Sequence, residues 1–262
     1  MYGMVGITMM EKYDGKLFFR NVDYLIKQQK RKVGEIEREA GVSTGYIART
    51  SKAGTGKVGI GFIMAVASIL GVKLDILLKV DLSGLDATET YLLSFLTKLI
   101  NDTDNDLLTW KCEDETYLNA LSLNSNRYER HPLFNRKDPE LLADDSYKSS
   151  DCSVFKSNSF GLNTKISGGC YNTQLKNGAC LYVMSIERVP VPGSNNPKDV
   201  AREVWLTMNG HKPQYLCSDW GGANLASVVD ILYRAVQESF HRPKISQNCR
   251  DIIDAFMEDE VK

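Results

Sequence analysis

Histidine is scarce in this sequence, with only His131, His211 and His241 among 262 residues. None belongs to an H-E-x-x-H string, which excludes the common metallopeptidase helix. The six cysteines (112, 152, 170, 180, 217 and 249) form no C-x-x-C pair and show no recognised zinc spacing. His211 with Cys217, or Cys170 with Cys180 and Cys217, are the metal arrangements that can be drawn. Scattered cysteines more often act as small buried hydrophobes, so no metal and no cofactor is expected. A chain of this length builds a core without disulfide staples, and free thiols point to a reducing cytoplasm. Long hydrophobic runs are missing too. No stretch of eighteen apolar residues exists, which leaves no candidate membrane helix. The opening MYGMVGITMMEKYDGK lacks a basic lead-in and a small-residue cleavage site, so it does not read as a signal peptide.

A net excess of either charge is also absent, but the balance hides a division. Residues 1–82 carry thirteen Lys and Arg against eight Asp and Glu, a net +5. The remaining residues carry nineteen against twenty-five, a net −6. A locally basic segment is what contact with phosphates requires.

That basic segment contains KVGEIEREAGVSTGYIARTSK, residues 32–52. Ile36, Ala40, Val42 and Ile47 supply apolar contacts for two short helices. Gly41 sits where the first must end in a left-handed conformation. Ser43 is placed to cap the second, which is expected to begin at Thr44. Thr44, Gly45, Tyr46 and Arg49 then lie on the open side, the geometry of a DNA-reading helix-turn-helix. A helix over Leu17–Gln28 precedes the pair and ends in the basic cluster Lys30-Arg31-Lys32. A helix over Phe62–Leu70 and a short one at Leu74–Leu78 follow.

Between them Gly54, Gly56 and Gly59 spell G-x-G-x-x-G, with Asp75 about twenty residues on. No strand precedes it and helices flank it. It is read as a loop offering Lys52 and Lys57 to phosphates rather than as a nucleotide site.

The elements from residue 17 to 80 resemble the lambda repressor/Cro-like, or Xre, family of helix-turn-helix regulators. The pieces that carry the resemblance are IEREAGVS at 36–43, YIAR at 46–49 and LGVKLDILL at 70–78. It implies a compact all-α bundle whose second paired helix enters the major groove of double-stranded operator DNA. Carried over, Thr44, Gly45 and Tyr46 open the reading helix and Arg49 lies one turn on. With Lys32, Ser43, Lys52 and Lys57 these are the expected DNA-binding residues. Two positions depart from the family: Val33 replaces a usual Gln that fixes a phosphate, and Glu37 replaces a small residue near the helix crossing. Arg49 either reads a guanine edge or contacts a phosphate, with Glu35 or Glu39 as alternative ion-pair partners.

Three parts are expected: a DNA-binding domain over 15–82, a helical linker or dimerisation region over 83–148, and an α+β domain over 149–262. Asp86 with Glu89 marks a helix start, and Tyr91, Leu92, Phe95, Leu96, Leu99 and Ile100 give a broad stripe, read as a dimer contact ahead of a lid on the next domain. The acidic residues 101–106 lack the glycine and terminal Glu of a calcium loop. A second helix is expected over Leu107–Leu123 around Trp110, Tyr117 and Leu121, then a polar loop containing His131.

Beyond residue 150 the composition turns to strands: 160–166, 170–175, 179–189, 200–209 and 214–218. Breaks fall at Ser167-Gly168-Gly169, Asn177-Gly178, Pro192–Pro197 and Asn209-Gly210. They predict an antiparallel sheet of four or five strands. The partial alternation over Leu181–Glu187 suggests that both faces are covered. Two helices follow, one capped by Asn224 and one opened by Ser246, which makes the C-terminal part α+β. Trp220-Gly221-Gly222, with Asp219, Trp205 and Tyr215, is a weak candidate for a pocket mouth.

Nothing in the sequence argues for catalysis, so the chain is expected to be no enzyme. The expected function is a cytoplasmic, homodimeric transcriptional regulator of bacterial or phage origin, a repressor before an activator. Its C-terminal part would dimerise or sense. The alternative is a bifunctional mobile-element protein whose acidic C-terminal part binds and inhibits a host protein such as a CRISPR nuclease.

Overall fold

The computed structural model describes residues 14–52, 58–116, 118, 133, 157–161, 164–188, 199–208, 211, 213–243 and 247–259. Among them it holds eight α-helices and one five-stranded antiparallel sheet.

The first five helices are α1 (Gly15–Gln28), α2 (Val33–Glu39), α3 (Tyr46–Lys52), α4 (Ile60–Leu70) and α5 (Leu74–Lys79). They close on Phe18, Val22, Ile26, Ile36, Phe62, Val66, Leu70 and Leu77. Asp14 starts α1 by accepting from the backbone N–H of Lys16 and Leu17. Gly71 ends α4 at φ 65°, a conformation that costs a glycine little. Asn21 is fully buried on α1 and ties it to the chain after α5. Its Nδ2 donates to the carbonyls of Leu77 (2.8 Å) and Val80 (2.6 Å), and its Oδ1 accepts from Leu82 N–H at 2.9 Å. Leu82 opens a 3-10 turn, Leu82–Gly84.

Helix α6 (Ala87–Asp104) starts on the expected pair, with Glu89 N–H donating to Asp86 Oδ1 at 2.8 Å and Asp86 N–H to Glu89 Oε2 at 3.0 Å. All of its stripe but the exposed Tyr91 is spent inside the chain. Leu96, Leu99 and Ile100 are buried against helix α7 (Ala226–His241) rather than held out for a dimer. Asn224 does not cap α7, whose N-cap is Leu225. Its side-chain amide instead donates to the Glu89 carboxylate at 3.0 Å, joining the starts of α6 and α7. The last helix is α8 (Gln247–Asp259), whose first turn follows residues outside the described set, Ser246 among them.

The strands are β1 (Lys111–Glu113), β2 (Thr164–Gln174), β3 (Cys180–Arg188), β4 (Val200–Thr207) and β5 (Gln214–Ser218), in that spatial order. Two expectations change here. The stretch read as a helix from Leu107 contributes the edge strand β1, because Trp110 is anchored backward through Nε1 to Thr103 Oγ1 at 3.0 Å, leaving Lys111–Glu113 extended beside β2. Tyr117 and Leu121 lie outside the described residues. The Ser167-Gly168-Gly169 break is a bulge within one strand, not a turn between two. Gly168 and Gly169 have φ of 92° and 118°, and a Cβ on Gly169 would sit 2.7 Å from the Tyr171 ring. The bulge turns the Gly168 carbonyl toward α7, where the Tyr233 hydroxyl donates to it. Asn177-Gly178 does form a hairpin turn, Gly178 at φ 81°. Asn209-Gly210 and Pro192–Pro197 lie outside the described residues.

Both faces of the sheet are covered. Tyr171, Leu181, Val183, Val204 and Cys217 meet α7, while Ile166, Cys170, Tyr182, Met184, Ile186 and Ala201 meet Leu118, Leu133 and Phe160. Ile76, Val80 and Leu82 share the first of these clusters with Leu96, Ile100, Val228 and Leu232. The helical bundle therefore packs onto the sheet layer through α5.

Burial holds thiol and phenol groups neutral in this core. It pushes the Cys217 thiol up to about 12 and the Tyr233 hydroxyl likewise to about 12. An acid whose folded pKa lies above its unfolded value contributes stability that is complete below the unfolded pKa and lost as pH rises through the folded one. Thermal midpoints are expected to fall between pH 9 and 12, and Cys217→Ala is expected to flatten part of that slope. A slope identical in the variant would remove Cys217 from the account.

Candidate nucleic-acid interface

Lys32 is the N-cap of helix α2, and its N–H donates to the Glu35 carboxylate at 3.2 Å. It ends in a turn where Gly41 (φ 70°) and Gly45 (φ 79°) take left-handed conformations. Glu37 is buried and reaches across that turn. One carboxylate oxygen accepts from Gly45 N–H at 2.7 Å and the other from Ile47 N–H at 2.8 Å. Glu37 therefore caps α3, which starts at Tyr46 rather than at Thr44. The cap assigned to Ser43 is a correction, since Ser43 Oγ instead accepts from Arg49 Nη2 at 2.8 Å. The carboxylate satisfies two backbone donors at once, which a short hydroxyl cannot reach from the far side of a left-handed turn.

Arg49 bends back over the start of its own helix. Besides the Ser43 contact, Nη1 donates to the Thr44 carbonyl at 3.0 Å. Neither Glu35 nor Glu39 is its partner: Glu35 caps α2, and Glu39 pairs with Arg31. A guanidinium carries five N–H donors, so two hydrogen bonds leave three for an outside acceptor. Gly45 lies under this side chain, and a Cβ there would meet Arg49 Nη1 at 3.1 Å.

Ser43, Thr44, Ala48, Arg49, Ser51 and Lys52 are exposed, while Gly45 is half-buried. Tyr46 turns inward to meet the Phe62 ring edge-on at 4.9 Å, so it holds α3 to the core more than it faces solvent. Lys32 is exposed at the head of α2. Of the basic cluster, Arg31 is drawn inward, donating to the Ile69 carbonyl at 3.3 Å, whereas Lys30 and Lys32 stay in solvent. Lys57, Gly54 and Gly56 lie outside the described residues. Gly59 has φ −64° as the N-cap of α4, so nothing in its backbone calls for glycine.

Gly41-Val42-Ser43-Thr44-Gly45 also spells G-x-S-x-G. That string is a nucleophile elbow only between a strand and a helix. Here it joins two helices, and Ser43 faces an arginine rather than a base.

The other candidates resolve into packing. Cys170 and Cys217 lie on opposite faces of the sheet and cannot share a metal, and His211 is exposed while Cys217 is buried. Among the described residues no group of three His, Cys, Asp or Glu side chains converges. Trp220 meets Phe160 at 4.8 Å, and Trp205 meets Tyr215 at 5.6 Å. Asp219 is committed to Arg202, accepting from its backbone N–H at 2.6 Å and from Nη1 at 2.8 Å. Behind them Glu203 is fully buried, accepting from Ser159 N–H at 2.6 Å and Trp205 Nε1 at 2.8 Å. The sequence gives no sign that Glu203 or Glu37 accepts these backbone N–H groups, because both reach partners that only the fold brings near.

No described helix is long and apolar enough to cross a membrane. No family model, no curated protein and no solved structure matches this chain.

Proposed function

We propose that residues 15–82 form a helix-turn-helix unit that binds double-stranded operator DNA, and that the chain is a transcriptional regulator of bacterial or phage origin. The observation that carries this reading is the placement of Arg49. It stands on the exposed side of α3, held at the helix start by Ser43 and the Thr44 carbonyl, with donors left over. Held this way the guanidinium forfeits less side-chain entropy on binding than a solvated arginine. Glu37 on one side and Tyr46 against Phe62 on the other fix the angle at which α3 is offered.

In this reading α3 lies in the major groove with Thr44 and Arg49 toward base edges. A guanine offers N7 and O6, the pair of acceptors a guanidinium engages side by side. Lys32 and Lys52 meet phosphates, which give affinity without sequence. The net +5 of residues 1–82 supplies the long-range attraction.

Footprinting the full chain on its own promoter tests the reading. Arg49→Ala is expected to lower operator affinity by about 1–3 kcal/mol at matched salt while leaving nonspecific binding nearly unchanged. Equal losses on operator and random DNA would make Arg49 a phosphate contact. No protected segment with the wild-type chain would remove the function.

A further inference from the structure

The helical bundle meets the sheet layer along a cleft of about 400 Å³, within the range of about 300–1,000 Å³ common to small-molecule sites. Ile231 and Ala235 on α7 are buried, and with Leu74 on α5 they give the cleft an apolar floor. Each side then adds one cation and one carboxylate. The start of α5 supplies Lys73 and Asp75, and α7 supplies Arg234 and Glu238 on the same helical face as Ile231.

These four charges do not cancel one another across the cleft. Lys73 pairs with Asp104 at the end of α6, which leaves part of its three-donor ammonium unused. Arg234 turns back to Asp230, with Nε and Nη2 both on Oδ2 at 3.0 Å, and Nη1 is left over. It has a carboxylate one turn away in each direction, and in a helix the acid on the N-terminal side is the better partner. Glu238, on the other side, is therefore left without its arginine. Asp75 is half-buried. Neither its side chain nor that of Glu238 has a hydrogen-bond or ion-pair partner among the described residues.

We infer that this cleft binds a free α-amino acid with an aliphatic side chain. The ammonium lies with Asp75 and Glu238, the carboxylate with Arg234 Nη1 and the spare donors of Lys73, and the side chain on Leu74, Ile231 and Ala235. A ligand of one sign fits less well, because it meets a like charge on both sides. A metal ion is disfavoured too, since among the described residues the carboxylates do not converge on one point. The Arg234–Asp230 pair is 46% and 34% exposed, so it holds the guanidinium weakly against a ligand carboxylate. Because one side of the cleft belongs to α5 and the other to α7, an occupant ties the bundle to the sheet layer and stabilises the folded chain. Nothing in the site depends on whether the protein reads DNA.

Titration calorimetry of the full chain with L-leucine, L-isoleucine, L-valine and L-methionine tests the site. The tightest of these is compared with its own deaminated acid, its methyl ester and the diamine cadaverine. At least one amino acid is expected to bind and to raise the thermal midpoint. Each single-charge analogue and cadaverine are expected to bind about tenfold or more weakly, the loss of one charge-assisted hydrogen bond. Glu238→Gln is expected to weaken the amino acid by about the same factor while leaving the deaminated acid unchanged. Arg234→Gln should do the reverse, sparing the methyl ester. Both side chains are exposed, so without ligand the variants should keep the wild-type circular dichroism spectrum and thermal midpoint. A wild type that binds none of the four overturns the inference. Cadaverine binding as tightly as the amino acid would make the cleft a site for organic cations instead. Full affinity in both variants would place the bound amino acid elsewhere. All of these readouts are made without DNA, so their failure leaves the operator reading untouched.

Discussion

Asn21→Leu is expected to lower folding stability by about 4 kcal/mol. The substitution keeps the volume and adds apolar surface, so a purely hydrophobic account would forecast a gain. What it removes is three hydrogen bonds in a dry site: two donated to the carbonyls of Leu77 and Val80, one accepted from Leu82 N–H. Each stranded backbone group costs about 1–3 kcal/mol once water cannot reach it. Asn21→Asp should fare no better, because an oxygen would then face two carbonyl oxygens. The loss is a large share of the 5–15 kcal/mol typical of a folded protein. Urea unfolding of the wild type and both variants measures it. A Leu variant within about 1 kcal/mol of wild type would mean that the backbone relaxes to reach other partners.

The position of Asn21 makes that loss more than local. Val80 and Leu82, which it holds, belong to the cluster that joins α5 to α6 and α7. The staple therefore fixes where the helical bundle meets the sheet layer. None of this is announced by the residues themselves, since an asparagine inside an amphipathic stripe looks like a break in the pattern.

What could be read from the chain and what could not divides along the range of the interactions. The Asp86–Glu89 pair and the Asn177-Gly178 turn are local, and both appear where their spacing predicts. Phe18, Val22 and Ile26 are buried as their periodicity requires. Gly168-Gly169 misled because a glycine pair signals a turn and a bulge equally well. Only the pairing of both flanks with β3 decides between them. Lys111–Glu113 is a strand because β2 lies beside it, not because three residues prefer to be extended. The α6 stripe showed that the helix needed a partner but not that α7 would supply it. By the same logic α8 carries a stripe as clear, yet Ile252, Ile253, Phe256 and Met257 stay exposed. The candidate interface followed the same rule. Its exposed residues, Thr44, Arg49 and Lys52, follow from helical spacing, whereas the carboxylate that orients them comes from Glu37, which the sequence marked only as a departure.

Glu37 gives the sharpest test of that interface. Glu37→Ala is expected to cost about 3 kcal/mol, because hydrogen bonds to a charged acceptor contribute roughly 1.5–3 kcal/mol each and two are lost. Stability alone would not distinguish a cap from ordinary packing, so the amides of Gly45 and Ile47 provide the second readout. Both donate to the carboxylate, and in the wild type their hydrogen exchange should be slow. In the alanine variant both should exchange quickly, since a seven-residue helix has little stability without its cap. Glu37→Gln separates charge from shape. Its amide oxygen can satisfy one N–H, but its NH2 group then faces the other donor, so it should recover less than half of the loss. If α3 reads DNA, both variants should lose operator affinity by more than Arg49→Ala does, because a loosened α3 misplaces Thr44, Arg49 and Lys52 together. Amides that remain protected in the alanine variant would show that the turn holds itself. Operator binding at wild-type strength despite rapid exchange would show that α3 does not enter the groove.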